Sequence, residues 1–247
     1  VVDFIGGDRA SIEAAGAVAC VSLEDAARKA VSLLLDKKAS PDFNGFSEPE
    51  DVIDALAKHE ASKKKPEQRY LRGLYTGGTL ADEAMKLLSG EIGNIWSNIP
   101  LKPEFKMVDV RHSIEHTVID FGDDAFTVGR PHPMIDPSTR SERIISEATD
   151  DVAVMLLDVV IGYGSHPDPA GEIVEQVRTA RAAFEAKGAD LTVIASVCGT
   201  EGDPQNLKKT QITLSEAGII VMPSNAQAVR LAGRILKALN VSGGDSQ

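Results

Sequence analysis

The apolar positions of this chain gather into short continuous runs separated by amphipathic stretches. Residues 71–75, 117–121, 152–161, 191–197 and 218–222 are apolar almost throughout. That is the pattern of strands covered on both faces rather than strands with one wet side. Between them lie helical periodicities. Residues 80–88 are apolar at 80, 84, 87 and 88, and helices follow at 141–148, 171–187, 206–217 and 225–239. The alternation of strand, loop and helix predicts a doubly wound α/β domain over 70–240: a flavodoxin-like parallel sheet with helices on both faces.

The first 36 residues carry a shorter alternation. An apolar run at 1–5 reads as a strand, 11–15 as a short helix, and 16–21 as a turn and a second strand. A helix over 23–31 follows, with Ser22 as its cap and two acids in its first turn, where the helix dipole favours them. Two strands are too few for a domain. Residues 1–36 are therefore expected to be the tail of a preceding α/β domain, and the missing initial methionine suggests a piece of a longer polypeptide. Residues 37–69 are polar and broken by Pro and Gly, with one helix starting near Glu48 and fading into Lys63, Lys64 and Lys65. They are expected to form a linker, and the lysines a solvated face.

Composition narrows the function classes. The 247 residues are 43% hydrophobic and 26% charged, an ordinary globular balance. Two cysteines, Cys20 and Cys198, with no CxxC argue against a disulfide framework or a zinc site and suit a reducing, cytoplasmic setting. No apolar run approaches the ~20 residues that span a bilayer. With 26 basic against 37 acidic residues the formal net charge is −11, which opposes binding to nucleic acid or an anionic membrane. A small anionic ligand must then be held by a local pocket.

In a parallel α/β sheet that pocket belongs at the carboxyl ends of the strands. The loops there are rich in glycine and small hydroxyl residues: Thr76, Gly77, Gly78 and Thr79; Gly122 and Asp123; Gly162, Gly164, Ser165 and His166; Gly199 and Thr200; Ser224 and Asn225. Each opens a helix, so glycine permits close approach while helix amides and hydroxyls accept an anion. No Walker motif or GxGxxG is present.

Within these loops Arg130, His132 and Asp136 lie in a segment stiffened by Pro131, Pro133 and Pro137, which reads either as a site or as structure. Arg130 would supply the cation and His132 a proton to a leaving oxygen. Asp120, Asp123 and Asp124 crowd one strand end, with Arg130 or a divalent metal as the cation that would face them, and Asp124 joins His132 and Arg130 as a catalytic candidate. His166 beside Asp168 is either an acid/base pair or part of a cap. His112 and His116 have metal-ligand spacing but no third ligand nearby, so no metal is expected. Cys198 reads as a low-pKa thiol or a structural cysteine and is not assigned as a nucleophile.

From Gly73 to about Leu239 these loops resemble the CoA-ligase domain of the succinyl-CoA synthetase superfamily. The runs 73–80, 118–137 and 156–164 resemble the FdrA family more closely. Residues 1–36 resemble the end of a preceding ligase domain. The resemblance implies an acyl-CoA synthetase fold and chemistry: an acid, CoA and a nucleoside triphosphate giving acyl-CoA, with CoA and a nucleotide as cofactors. The superfamily's phosphohistidine loop would fall near 6–11, which contains no histidine, and no ATP-grasp segment is found. Full CoA ligation by this chain alone is therefore not expected. FdrA-like proteins are also associated with carbamoyl transfer between oxamate and carbamoyl phosphate in allantoin degradation, as subunits beside partners. That implies partner subunits or a homo-oligomer, and a carbamoyltransferase subunit as the second reading. A non-catalytic scaffold is the third.

Overall fold

The computed structural model describes residues 7–242, so the strand expected at 1–5 lies outside the described residues. The chain divides into two compact units, Val1–Glu50 and Asp51–Gln247. The first carries α1 (Arg9–Ala14) and α2 (Leu23–Asp36). Ser22 caps α2 as expected, its hydroxyl accepting the Asp25 amide. Of the second strand expected at 16–21, Ala19 takes a β-bridge position, and no named strand is formed there among the described residues. Within this unit Lys29 is buried between Asp25 and Asp42 at 2.9 and 2.5 Å.

The second unit takes in all but the first residue of α3 (Glu50–Ser62), whose Ile53, Ala57 and Ala61 are buried. Glu60, also buried, accepts the Thr192 hydroxyl at 2.6 Å. The helix expected near Glu48 is thus a packed one. The sheet consists of β1 (Tyr70–Tyr75), β2 (Trp96–Ser97), β3 (Thr117–Asp120), β4 (Val152–Val160), β5 (Thr192–Cys198) and β6 (Ile220–Met222). Their order is β2-β3-β1-β4-β5-β6 and every pairing is parallel. Apart from the two-residue edge strand β2, each strand was legible as an apolar run.

The helices α4 (Gly78–Ile92) and α9 (Asn225–Ser242) pack together on one face of the sheet. On the other lie α6 (Ser138–Ser146), α7 (Pro169–Glu185) and α8 (Leu207–Glu216), with the one-turn α5 (Asp124–Thr127) at the sheet's end. Burial is complete along most of β1, β3 and β4. Leu74, Ile119, Met155, Leu157 and Val159 pack with Ile173, Val177 and Phe184 of α7 into one continuous core. This rigid layer fixes the positions of the loops at the strand ends.

Candidate functional site at the carboxyl edge of the sheet

Strand β1 lies between β3 and β4, and the helices leaving β1 and β4 go to opposite faces, so the chain parts at this point. Thr76 follows β1 directly. Its amide and hydroxyl donate to the two carboxylate oxygens of Asp158 at 2.9 and 2.5 Å. Asp158 sits in β4 and is buried. Arg140 reaches it from α6, one Nη1 donating to both its carboxylate and its carbonyl at 2.7 Å. Arg140 is itself buried, and its Nε has no hydrogen-bond partner among the described residues. A buried carboxylate with three donors ties the start of the 76–79 loop to the centre of the sheet.

Strand β3 contributes Asp120. Its main chain is held by Asn98, which donates to the Asp120 carbonyl and accepts its amide, both at 2.9 Å. One carboxylate oxygen accepts the Gly122 amide at 2.8 Å, and the other lies 3.1 Å from where a Cβ on Gly78 would stand. Gly122 shows why this position needs glycine. A Cβ there would meet His132 Nε2 at 2.8 Å and the Thr76 carbonyl at 2.9 Å. The loops after β1 and β3 and the 130–137 segment therefore touch around Gly122. The Met134 amide donates to His132 Nδ1 at 3.2 Å, so a neutral His132 carries its proton on Nε2, the atom beside Gly122. Burial, with Asp123 and Asp158 close by, raises the Asp120 pKa, against the Gly122 hydrogen bond.

The loop after β4 joins this cluster. The His166 amide donates to the Met134 carbonyl at 2.8 Å. Gln205 clamps the loop, accepting the Gly162 amide and donating to the carbonyls of Gly162 and His166. Gly162 and Gly164 take φ of 149° and 85°, which L side chains rarely adopt. Ser165 closes the turn onto the Gly162 carbonyl. His166 and Asp168 meet, but through the Asp168 amide and His166 Nδ1; the Asp168 carboxylate caps α7. Arg130 is exposed and donates to the Thr139 hydroxyl at 3.2 Å.

The other expected residues lie around or away from this centre. Gly77 is the N-cap of α4, with Gly78 and Thr79 in its first turn. Asp123 caps α5, and Asp124, its first residue, is exposed. Gly199 backs onto Ile161, and Thr200 is tied to Asp203. Ser224 caps the first turn of α9. Asn225 turns inward, donating to the Leu80 carbonyl and to Glu83, so it bolts α9 to α4. His112 pairs with Asp109 at the surface while His116 is half-buried and accepts the Leu71 amide, so the two do not share a site. Among the described residues no cluster of three or more His, Cys, Asp or Glu could hold a metal. Cys198 is exposed, and partial desolvation with Asp158 and Asp203 nearby pushes its thiol up rather than down, against the low-pKa reading.

Sequence reasoning missed Asp158, Arg140, Asn98 and Gln205. One signal was available for Asp158: a lone carboxylate inside a continuous apolar strand is costly unless it is paired. Arg140 and Gln205 gave none, because their partners are distant in sequence.

Three comparisons bear on this geometry. A family model described as CoA-ligase matches residues 74–235. The uncharacterized protein YahF of Escherichia coli (strain K12) is 39% identical over 233 residues, 94% of this chain and 44% of YahF. The chain thus spans less than half the length of that relative. Among solved structures, the dinucleotide forming acetyl-coenzyme A synthetase 1 of Ca. Korarchaeum cryptofilum, in complex with phosphate and ADP, is 17% identical with a TM-score of 0.49. The alignment covers 96% of this chain and 45% of that one. PH0766 from Pyrococcus horikoshii OT3 is 11% identical with a TM-score of 0.42, over 79% of this chain and 41% of that one. The family match runs from within β1 to within α9 and takes in every strand-end loop just described. The chain belongs to the CoA-ligase family.

Proposed function

We propose that this chain is the ligase-type domain of an FdrA-like protein of acyl-CoA synthetase character, binding phosphate- and carboxylate-bearing ligands at the carboxyl edge of its sheet. The observation that carries the reading is the convergence of Thr76, Gly78, Asp120, Gly122 and His132 at the N-terminus of α4, inside the stretch matched to the family. Amides of Gly77, Gly78 and Thr79 offer neutral donors to an anion, and His132 Nε2–H supplies a directed donor to an oxygen gaining charge. The Thr76–Asp158–Arg140 bolt holds those amides in place.

CoA and a nucleotide, which the family implies, do not fit this edge unaided. A polyphosphate needs several free cations. Here Arg140 is committed to Asp158, while Asp120, Asp123, Asp158, Asp168 and Asp203 concentrate negative charge. What fits is one phosphoryl or carboxylate group, with Arg130 the exposed cation that completes it. In this reading the chain works within a larger assembly. The outward stripe of Leu23, Val31, Leu34 and Leu35 on α2 supports residues 1–36 being the end of another α/β domain, because such a stripe is stable only when covered.

A carbamoyltransferase subunit, acting on carbamoyl phosphate and oxamate with partner proteins, is the second reading. The absence of histidine from residues 6–11 favours it, since that transfer needs no phosphohistidine. The test has two arms. The chain alone is expected to form no acyl-CoA from ATP, CoA and succinate, and turnover with label on a histidine would contradict this. Calorimetry with acetyl phosphate should show Arg130→Lys weakening binding by about tenfold, because a bidentate fork is lost at constant charge. Equal affinity would remove Arg130 from the site.

A further inference from the structure

We propose that the cleft between the second half of α4 and the segment flanking β2 binds a small amphiphilic carboxylate, whose apolar part is about the size of a benzene ring. The cleft measures about 130 Å³ and is lined by Met85, Ser89, Ile95, Leu101, Lys102 and Phe105. Local sequence builds it. Gly93, at φ 86°, ends α4 in a conformation that L side chains rarely adopt and turns the chain away from the helix axis. The two-residue strand β2 then carries the chain across, and a 3₁₀ turn at Pro103–Phe105 brings Phe105 back as a wall. Trp96 props that wall edge-on, ring centroids 5.7 Å apart.

The floor is apolar: Met85 is 1% exposed and Ile95 6%. Apolar cavities of on the order of 150 Å³ take up benzene-sized molecules. The rim is not apolar throughout. Lys102 stands there, and its ammonium has no hydrogen-bond or ion-pair partner among the described residues. An ammonium with no such partner beside an apolar floor selects its ligand at both ends. The apolar part fills the cleft and the carboxylate meets Lys102. No residue of this cleft belongs to the strand-end site, so the two stand or fall separately.

The test is an amide NMR titration of the full chain with hexanoate and, as its neutral counterpart, hexanamide. Hexanoate should give saturable shifts at Met85, Ser89, Ile95 and Phe105 and bind about tenfold more tightly than hexanamide. Lys102→Gln should bring hexanoate to the level of hexanamide. Ser89→Phe, at an exposed position of α4, should fill the cleft and abolish both without lowering Tm. Equal affinity for the two probes, unmoved by Lys102→Gln, would overturn the proposal. So would the lack of saturable shifts at these amides, or a dimer that Ser89→Phe dissolves, which would give the cleft to a protein side chain.

Discussion

At the scale of single residues, buried charge organises the carboxyl edge. Arg140 is tolerable inside the protein only because Asp158 faces it, and Asp158 also receives both donors of Thr76. Asp158→Ala would leave a buried guanidinium uncompensated, at a cost of about 3–5 kcal/mol. At ~2–4 °C per kcal/mol for a chain of this size, calorimetry should show Tm falling by on the order of 10 °C. A Tm unchanged from the parent would mean that the pair holds nothing together. His116 makes a second, pH-dependent statement. Burial, with Arg72 nearby, pushes its pKa down to about 4 from an ordinary 6.5. The folded protein therefore keeps it neutral where the unfolded chain takes up a proton. Its contribution is complete above pH 6.5 and is lost as pH falls toward about 4. Denaturant titrations across that window should show stability declining with acid, and His116→Gln should flatten the slope. An unaltered slope in the variant would assign the decline to other groups. Only Asp158 left a signal in advance, as a carboxylate inside an apolar strand; Arg140 and His116 left none, since each depends on a partner from another element.

At the scale of elements, the strands were legible and the boundaries of function were not. The apolar runs at 71–75, 152–161 and 191–197 became β1, β4 and β5 because burial on both faces leaves a continuous signature. Strand β2 left none: two residues at a sheet edge carry no periodicity. The loop residues Thr76, Gly78, Gly122 and His132 were visible as glycine-rich and proline-stiffened segments, yet only the register Tyr75↔Asp120 brings them together. Helix α3 is the helix expected from near Glu48 to Lys63, and what the sequence did not reveal is that it buries Ile53, Ala57 and Ala61. With Ile53 only 2% exposed, Ile53→Ala should cost about 2–5 kcal/mol, measured by denaturant unfolding. A loss within 0.5 kcal/mol, about what surface positions show, would return α3 to the status of a linker.

For the whole molecule, the division at residues 50 and 51 makes a direct prediction. A fragment of residues 51–247 should unfold cooperatively with native near-ultraviolet circular dichroism, while a fragment starting at residue 70 should melt several degrees lower for want of α3. If both fragments melt together, α3 is dispensable to the sheet. The central claim is that this sheet holds a small anion at its carboxyl edge, on a chain whose overall charge opposes anions. The most direct measurement is an amide NMR titration with acetyl phosphate. The account predicts saturable shifts with one common affinity at Gly77, Gly78, Thr79 and Gly122. Shifts confined to other parts of the chain, with these four amides unmoved at saturation, would contradict it.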